Sequence, residues 1–301
     1  MKSAAKVFIL LFGFWVYPSA QAKLQVGATT TDMEALVRAV GGERVEVFSI
    51  AKGTQDPHQI EAKPSFMRKM SGVDLVVAQG LDLEAAWLEP LIRGSRSSKI
   101  AVGTKGYLEL GSELQPLERK TGTVSRAEGD VHPQGNPHFQ LDPERMAKAA
   151  GLVAKRLSQV DEAGKNVYEE NAKKFADEMN KKLADWAARI RKTDIREVIT
   201  YHKTLDYFLD RFGLTSPLQL EPKPGIPPTA SHILEVIKTM KEKKIRLVLI
   251  ENYFDASVGD KLKSAVPGIR VVRVPVSVGG EPNIKNSFDL IENLVRSVEG
   301  K

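Results

Sequence analysis

The sequence predicts an α/β protein of two lobes, each built on a mostly parallel sheet, joined by a long rigid helix. The first observation is that short apolar segments alternate with amphipathic segments in both halves of the chain, as in parallel sheets covered by helices. The second is a long apolar stripe at helical spacing between the halves. The third is a set of histidines directly after or close to predicted strand ends, which favours a metal site in the cleft between the lobes.

The first half of the chain contains four segments that favour strands and three that favour helices. Thr31 and Glu34 have the spacing of a capping box, which predicts that Thr31 caps the first helix. The strand segments are residues 24–28, 45–50, 75–78 and 100–102, and the helical segments are residues 33–39, 64–70 and 84–92.

Two helices are predicted between the halves. Pro143 is suited to the first turn of one helix. The apolar stripe of the next helix, from Tyr168 to Ile190, is long enough for about 40 Å. In the second half, the predicted strands are residues 198–200, 247–250 and 271–274, and the helices are residues 205–212, 231–243 and 288–298. The predicted organisation is a first lobe at 23–141, a helical pair at 142–193 and a second lobe at 194–301.

Residues 1–22 have the features of a secretory signal peptide, with early lysines, a short apolar core and small residues before Ala22. The chain has no cysteine, which excludes disulfides, thiolate ligands and lipid attachment through a cysteine. We therefore expect cleavage after Ala22 and a periplasmic protein without stable membrane insertion.

The charge of the chain gives no sign of a nucleic-acid partner. The formal net charge is +6, and the basic residues alternate with acidic ones along the predicted helices. This pattern is typical of solvated helix faces.

Three of the five histidines lie in turn-forming sequences: His58 in QDPHQ, His138 in GNPHF and His202 in TYHKT. In the first two, a proline fixes the backbone just before the histidine, which lowers the entropy lost when the imidazole is ordered. One Pro-His pair alone is also consistent with an ordinary turn. Three imidazoles from distant segments together predict a site for zinc or a neighbouring transition metal.

With these residues the chain resembles the metal-specific substrate-binding proteins of bacterial ABC importers, which deliver zinc or manganese to a membrane permease. The resemblance is carried by residues 55–65, 135–143 and 199–214, and by the long helix between the last two. It spans essentially the whole chain after the signal peptide. It implies a monomer without catalytic activity that binds one ion between its lobes and passes it to an ABC permease.

The resemblance also implies the metal ligands. His58 and His138 would come from the first lobe, and His202 from the second. Relatives that carry manganese often have glutamate at the third position, so a histidine there favours zinc, with manganese or iron as the alternative cargo.

The fourth ligand departs from the family pattern, which commonly places an aspartate in the loop after the last strand. Here that loop is VPVSVGGEP, residues 274–282. Glu251 is the predicted substitute, because a carboxylate at the carboxyl end of a strand can reach a crevice between lobes. Asp255, Glu281 and water are alternatives, and a capping or salt-bridging role is the other interpretation of Glu251.

The remaining histidines are not predicted as ligands. Many zinc carriers have a histidine-rich loop before the second ligand, but residues 118–134 contain only His132, which we interpret as a solvated loop residue. His232, at a helix start, is interpreted as a surface or packing residue.

Two other functions are consistent with parts of the pattern. Three histidines with an open position also form catalytic zinc sites, so a zinc hydrolase is an alternative, although the chain has no HExxH sequence. An organic-ligand carrier is another alternative, but it would leave the three imidazoles unexplained.

Overall fold

The computed structural model describes residues 22–120, 129 and 131–301. Its strands form two separate parallel sheets, which confirms the predicted α/β fold of two lobes. The predicted signal peptide lies outside the described residues except for Ala22. Among the described residues, no helix is long and apolar enough to cross a bilayer.

The described part of the first lobe contains one sheet and three α-helices. The strands are β1 (Leu24–Ala28), β2 (Val45–Ser49), β3 (Leu75–Ala78) and β4 (Tyr107–Glu109), and the helices are α1 (Thr31–Gly41), α2 (Pro64–Met70) and α3 (Leu88–Ser95). The four strands are parallel and lie in the order β2-β1-β3-β4. Different helices cover the two faces of the sheet: Leu75 and Val77 pack on the side of α1, whereas Val76 and Ala78 pack with α2 and α3. This burial on both faces explains why β3 is apolar throughout.

The fourth strand does not lie where the apolar pattern predicted it. Residues 100–102 form a turn, and Val102 is 67% exposed. The apolar pattern at residue 100 has another cause: the Ile100 side chain packs into the apolar cluster formed with α2 and α3, although the residue lies in a turn. The strand itself begins at Tyr107, which pairs with Val76 of β3.

Two helix starts also differ from the prediction. The side-chain oxygen of Thr30, and not that of Thr31, accepts a hydrogen bond from the Met33 backbone and caps α1. The third helix begins at Leu88 instead of residue 84, because the Glu84 carboxylate accepts hydrogen bonds from the backbone of residues 79 and 80 and closes a preceding turn.

Two packed helices, α4 (Pro143–Val160) and α5 (Lys165–Arg191), join the lobes. α5 has 27 residues, which corresponds to about 40 Å. Near its start, Asn171 donates a hydrogen bond to the Val40 carbonyl of α1 at 3.0 Å. Near its end, Arg189 forms ion pairs with Glu292 and Glu299 of the second lobe. One continuous apolar core therefore runs from the first lobe through this pair into the second, whereas the boundaries at residues 141 and 193 stay a prediction.

The second lobe contains one sheet and four α-helices among the described residues. The strands are β5 (Ile199–Thr200), β6 (Leu247–Glu251) and β7 (Arg270–Val274), and the helices are α6 (Asp206–Phe212), α7 (Ala230–Lys243), α8 (Ser257–Ala265) and α9 (Ser287–Glu299). The three strands are parallel and lie in the order β5-β6-β7, and every residue of the central strand is buried. The helix α8 was not predicted, because its short sequence buries only Val258, Gly259 and Leu262.

A buried carboxylate links the first helix to the loop after β7. Asp32 of α1 is 1% exposed, and its Oδ1 accepts a hydrogen bond from the Val278 backbone at 3.0 Å. Burial raises the pKa of Asp32 to about 6, and the hydrogen bond from Val278 opposes part of this rise. The lobes therefore meet at a group that is costly to ionise.

Asp32→Asn should change how the stability of the metal-free protein depends on pH. Because the pKa of Asp32 is about 6 when folded and about 3.8 when unfolded, the wild type loses stability relative to the variant as pH rises through this window. The free energy of unfolding of the wild type, relative to that of the variant, should fall by at most about 3 kcal/mol. Urea unfolding at pH 4 and pH 7 measures it, with the exposed Asp260→Asn as control. An equal difference at both pH values would contradict the prediction.

Candidate metal centre

Three imidazoles from separate segments meet where the two lobes face each other. One nitrogen from each of His58, His138 and His202 lies within 4.8 Å of the others. The ring centroids are 5.2 Å apart for His58 and His138, 5.6 Å for His58 and His202, and 5.7 Å for His138 and His202. The structure thus brings together the three histidines that the sequence singled out.

His58 and His138 are held by the same kind of turn. In each, a side-chain oxygen two residues earlier, from Asp56 or Asn136, accepts a hydrogen bond from the histidine backbone at 3.0 Å. This local bond is typical of Asp and Asn before a turn. The repeated Asx-Pro-His sequence therefore sets the backbone of both histidines.

The proline between each pair is fixed as well. The Pro57 carbonyl accepts a hydrogen bond from the Trp87 indole at 2.9 Å, and the Pro137 carbonyl accepts one from the Gln79 amide at 2.8 Å. Both donors are buried, so these bonds are shielded from water. The two histidine turns are thereby attached to the core of the first lobe.

Carboxylates bind Nδ1 of two of the three rings. Asp56 Oδ1 lies 2.7 Å from His58 Nδ1, and Glu221 Oε2 lies 2.7 Å from His202 Nδ1. Because an ionised carboxylate only accepts, this arrangement makes Nδ1 the donor, and in the neutral ring it leaves the lone pair on Nε2. Burial raises the pKa of Asp56, but the hydrogen bonds and charge of His58, together with the charge of His202, outweigh burial, and the pKa lies below 3.8. Asp56 is therefore anionic at neutral pH.

His138 has no hydrogen-bond partner on either ring nitrogen, although its side chain is buried. Unpaired buried polar atoms are costly in a folded protein. Burial, together with the neighbouring histidines, lowers the pKa of His138 well below 6.5. The ring is thus neutral with an available lone pair, and a bound metal ion would satisfy it.

Glu251 lies behind His202 and outside the group of three rings. Its Oε1 accepts a hydrogen bond from the His202 backbone at 3.2 Å, and burial raises the pKa of Glu251 to about 8. Among the described residues, the group that could share an ion contains no carboxylate. Asp255 instead binds the backbone and hydroxyl of Ser257. The assignment of Glu251, Asp255 or Glu281 as fourth ligand stays a prediction.

The interpretation of His132 as a solvated loop residue is wrong. Its Nε2 lies 3.2 Å from Nε2 of His58, and its Nδ1 is buried without a hydrogen-bond partner. Burial, followed by the charges of His58 and His202, lowers the pKa of His132 to about 3. A single histidine in an irregular loop has no spacing signal, which is why the sequence pattern missed it.

His232 lies elsewhere, and its Nε2 is 2.9 Å from the Gln219 carbonyl. This contact agrees with the predicted packing role. His232 therefore provides a control position outside the cluster.

A cavity of about 240 Å³ opens beside the rings. It is lined by His132, His138 and His202, and by charged side chains that include Glu118 and Lys203. Sites for organic ligands usually enclose about 300–1,000 Å³ and are lined mostly by apolar groups. The volume of this cavity lies below that range.

Comparisons with known proteins give a family match over most of the chain. Residues 26–299 match the family model of ZnuA, described as zinc-uptake complex component A, periplasmic. The chain is 24% identical over 238 residues to the manganese ABC transporter substrate-binding lipoprotein PsaA of Streptococcus pneumoniae serotype 4 (strain ATCC BAA-334 / TIGR4), covering 77% of this chain and 74% of that protein.

Another relative and a solved structure extend the comparison. The iron ABC transporter substrate-binding lipoprotein MtsA of Streptococcus pyogenes serotype M1 is 26% identical over 229 residues, covering 73% of this chain and 70% of that protein. A crystal structure of ZnuA superposes with a TM-score of 0.77 at 21% identity, covering 92% of this chain and 98% of that chain. This likeness confirms the fold.

Glu221→Gln should weaken zinc binding by about 10–100-fold, the usual effect of losing a partner that orients a ligand. The neutral amide is a weaker acceptor for Nδ1–H of His202, so the ring orientation is less well fixed. Competition with a chromophoric chelator measures the affinity, and Glu242→Gln, at an exposed position of α7, is the control. Equal affinities for the two variants would show that Glu221 does not orient His202.

Proposed function

Because the chain belongs to the ZnuA family of periplasmic zinc-uptake components, we propose that it captures one zinc ion through His58, His138 and His202 and delivers it to an ABC permease. The family consists of metal-binding transporter components and not of enzymes, so the hydrolase alternative is set aside. The observation that carries the proposal is the convergence of three imidazole nitrogens within 4.8 Å, one of them on a buried ring without any other partner.

The donor atoms support zinc as the cargo. Imidazole nitrogen suits zinc, whereas manganese prefers carboxylate, carbonyl and water oxygen. The names of PsaA and MtsA, which refer to manganese and iron, support the alternative cargo within the same group. We favour zinc because His202 supplies nitrogen where an oxygen donor would suit manganese.

The local electrostatics support capture of a cation. Asp56 and Glu221 lie behind two of the rings, so they increase the basicity of the ligands. His138 is neutral in the folded protein, so zinc does not have to displace a proton from it at neutral pH. A site that needs little rearrangement or proton loss binds its ion more tightly.

The proposal also covers the export of the protein, its location and its oligomeric state. We propose that residues 1–22 direct export, that cleavage follows Ala22, and that the protein acts as a monomer in the periplasm. PsaA and MtsA are named as lipoproteins, whereas this sequence has no cysteine for lipid attachment through that residue.

His58→Ala, His138→Ala and His202→Ala should each remove most of the zinc affinity. Zinc at 100 times its Kd should stabilise the wild type by about 2.7 kcal/mol, and the three variants should lose this gain. Thermal unfolding with and without zinc measures it, together with calorimetric titration, and His232→Ala should behave as the wild type. A wild type that shows no zinc-dependent shift and no heat of binding would refute the proposed function.

Zinc should be retained in preference to manganese when the chelator-stripped protein is equilibrated with equal concentrations of both. The expectation follows from the nitrogen donors and from the general order of divalent-metal affinities, in which zinc exceeds manganese. Elemental analysis after gel filtration measures the bound metal, and protein purified from its native periplasm gives the decisive sample. Manganese or iron in the native sample would assign the alternative cargo.

A further inference from the structure

We propose that His132 is the fourth ligand, so that four imidazoles surround the ion. This inference rests on the proposed function because it concerns the same ion. The Nε2 atoms of His58 and His132 are 3.2 Å apart. Two nitrogen ligands of a tetrahedral zinc, each at about 2.0–2.1 Å, lie about 3.3 Å from each other. The pair therefore already has the spacing of neighbouring ligands.

The protonation pattern gives a second argument. Asp56 fixes the proton of His58 on Nδ1, so the lone pair of Nε2 points toward His132. If His132 Nε2 is also unprotonated, two lone pairs face each other. If it is protonated, it donates to His58, and the buried Nδ1 then has no proton to donate to the nearby Leu81 backbone. A cation bound between the rings removes the repulsion of the first arrangement, because both lone pairs then bind the ion.

The backbone around His132 is held in place. The His132 carbonyl accepts a hydrogen bond from Gly135 at 3.1 Å, and the next residue, Pro133, accepts one from the Lys120 backbone at 3.2 Å. Gly129 packs so closely on the second lobe that an added Cβ would lie 2.0 Å from the Pro224 carbonyl. Backbone hydrogen bonds thus hold residues 132–135, and His132 contacts His58 and lines the same cavity as His138 and His202. In the described part of the chain, only His58, His138 and His202 already have nitrogens within 4.8 Å of one another, so the His132 ring would have to approach them to share the ion.

A fourth imidazole sharpens the choice of cargo. Four neutral nitrogen donors match tetrahedral zinc and provide none of the oxygen donors that manganese prefers. Glu251 then does not bind the ion: its Oε1 accepts the hydrogen bond from the His202 backbone and positions that ligand.

The test compares His132→Ala and His132→Gln with the wild type, using zinc alone as the probe. We expect each variant to bind one zinc with an affinity lowered by at least about 10-fold, the lower limit for partners that only orient a ligand. X-ray absorption should count four imidazole ligands in the wild type and three in both variants. His232→Ala is the matched control, and His58→Ala is the reference for loss of a ligand. Circular dichroism checks that both variants fold.

The outcomes separate this inference from the proposed function. If the wild type binds no zinc, or if His58→Ala binds as well as the wild type, the proposed function fails. The wild type can also bind one zinc in a way that depends on His58, while the His132 variants have the same imidazole count and the same zinc affinity as the wild type. In that case only the assignment of His132 fails. Two zinc ions in the wild type and one in the variants would also overturn it, because His132 would then belong to a separate site.

Discussion

A buried ion pair between the lobes fixes the two segments that carry His138 and His202. Asp142 follows the 3₁₀ turn after His138 and is fully buried. Arg211, in the helix after His202, binds both of its oxygens at 2.8 and 2.9 Å. Asp142 also pairs with Arg145, and Arg211 also pairs with Glu144, so the contact is part of a network of charges. The spacing of the two imidazoles thus depends on an interaction outside the site.

The shared core determines how an ion can enter. Because α4 and α5 pack against both lobes in one continuous cluster, wide rotation of one lobe away from the other would expose apolar surface. The Asp32 contact with Val278 opposes the same motion. Local movement of the loops that line the cavity, among them the residues around Pro224, costs less burial. We infer that entry and release depend on such loop movements, with modest rotation of the lobes.

The sequence predicted the parts of the molecule that follow a local rule. The positions of most strands and the length of α5 follow from apolar periodicity, and the Asx-Pro-His turns follow from residue type. The start of α3 and the fourth strand could not be predicted, because a side-chain bond from Glu84 and a buried Ile100 in a turn depend on tertiary contacts. His132 was missed for the same reason: its partner His58 is 74 residues away in the chain.

The same groups that prepare the site for an ion make the metal-free fold less stable. His138 is buried with two unpaired nitrogens, and Oε2 of Glu251 is buried without a partner. Each unpaired group of this kind costs about 1–3 kcal/mol. An ion bound by the imidazoles pairs with one of the two His138 nitrogens and removes that part of the cost. Binding energy is therefore increased at the expense of metal-free stability, and because hydrogen bonds already orient the turns of His58 and His138, little of that energy is lost in arranging them.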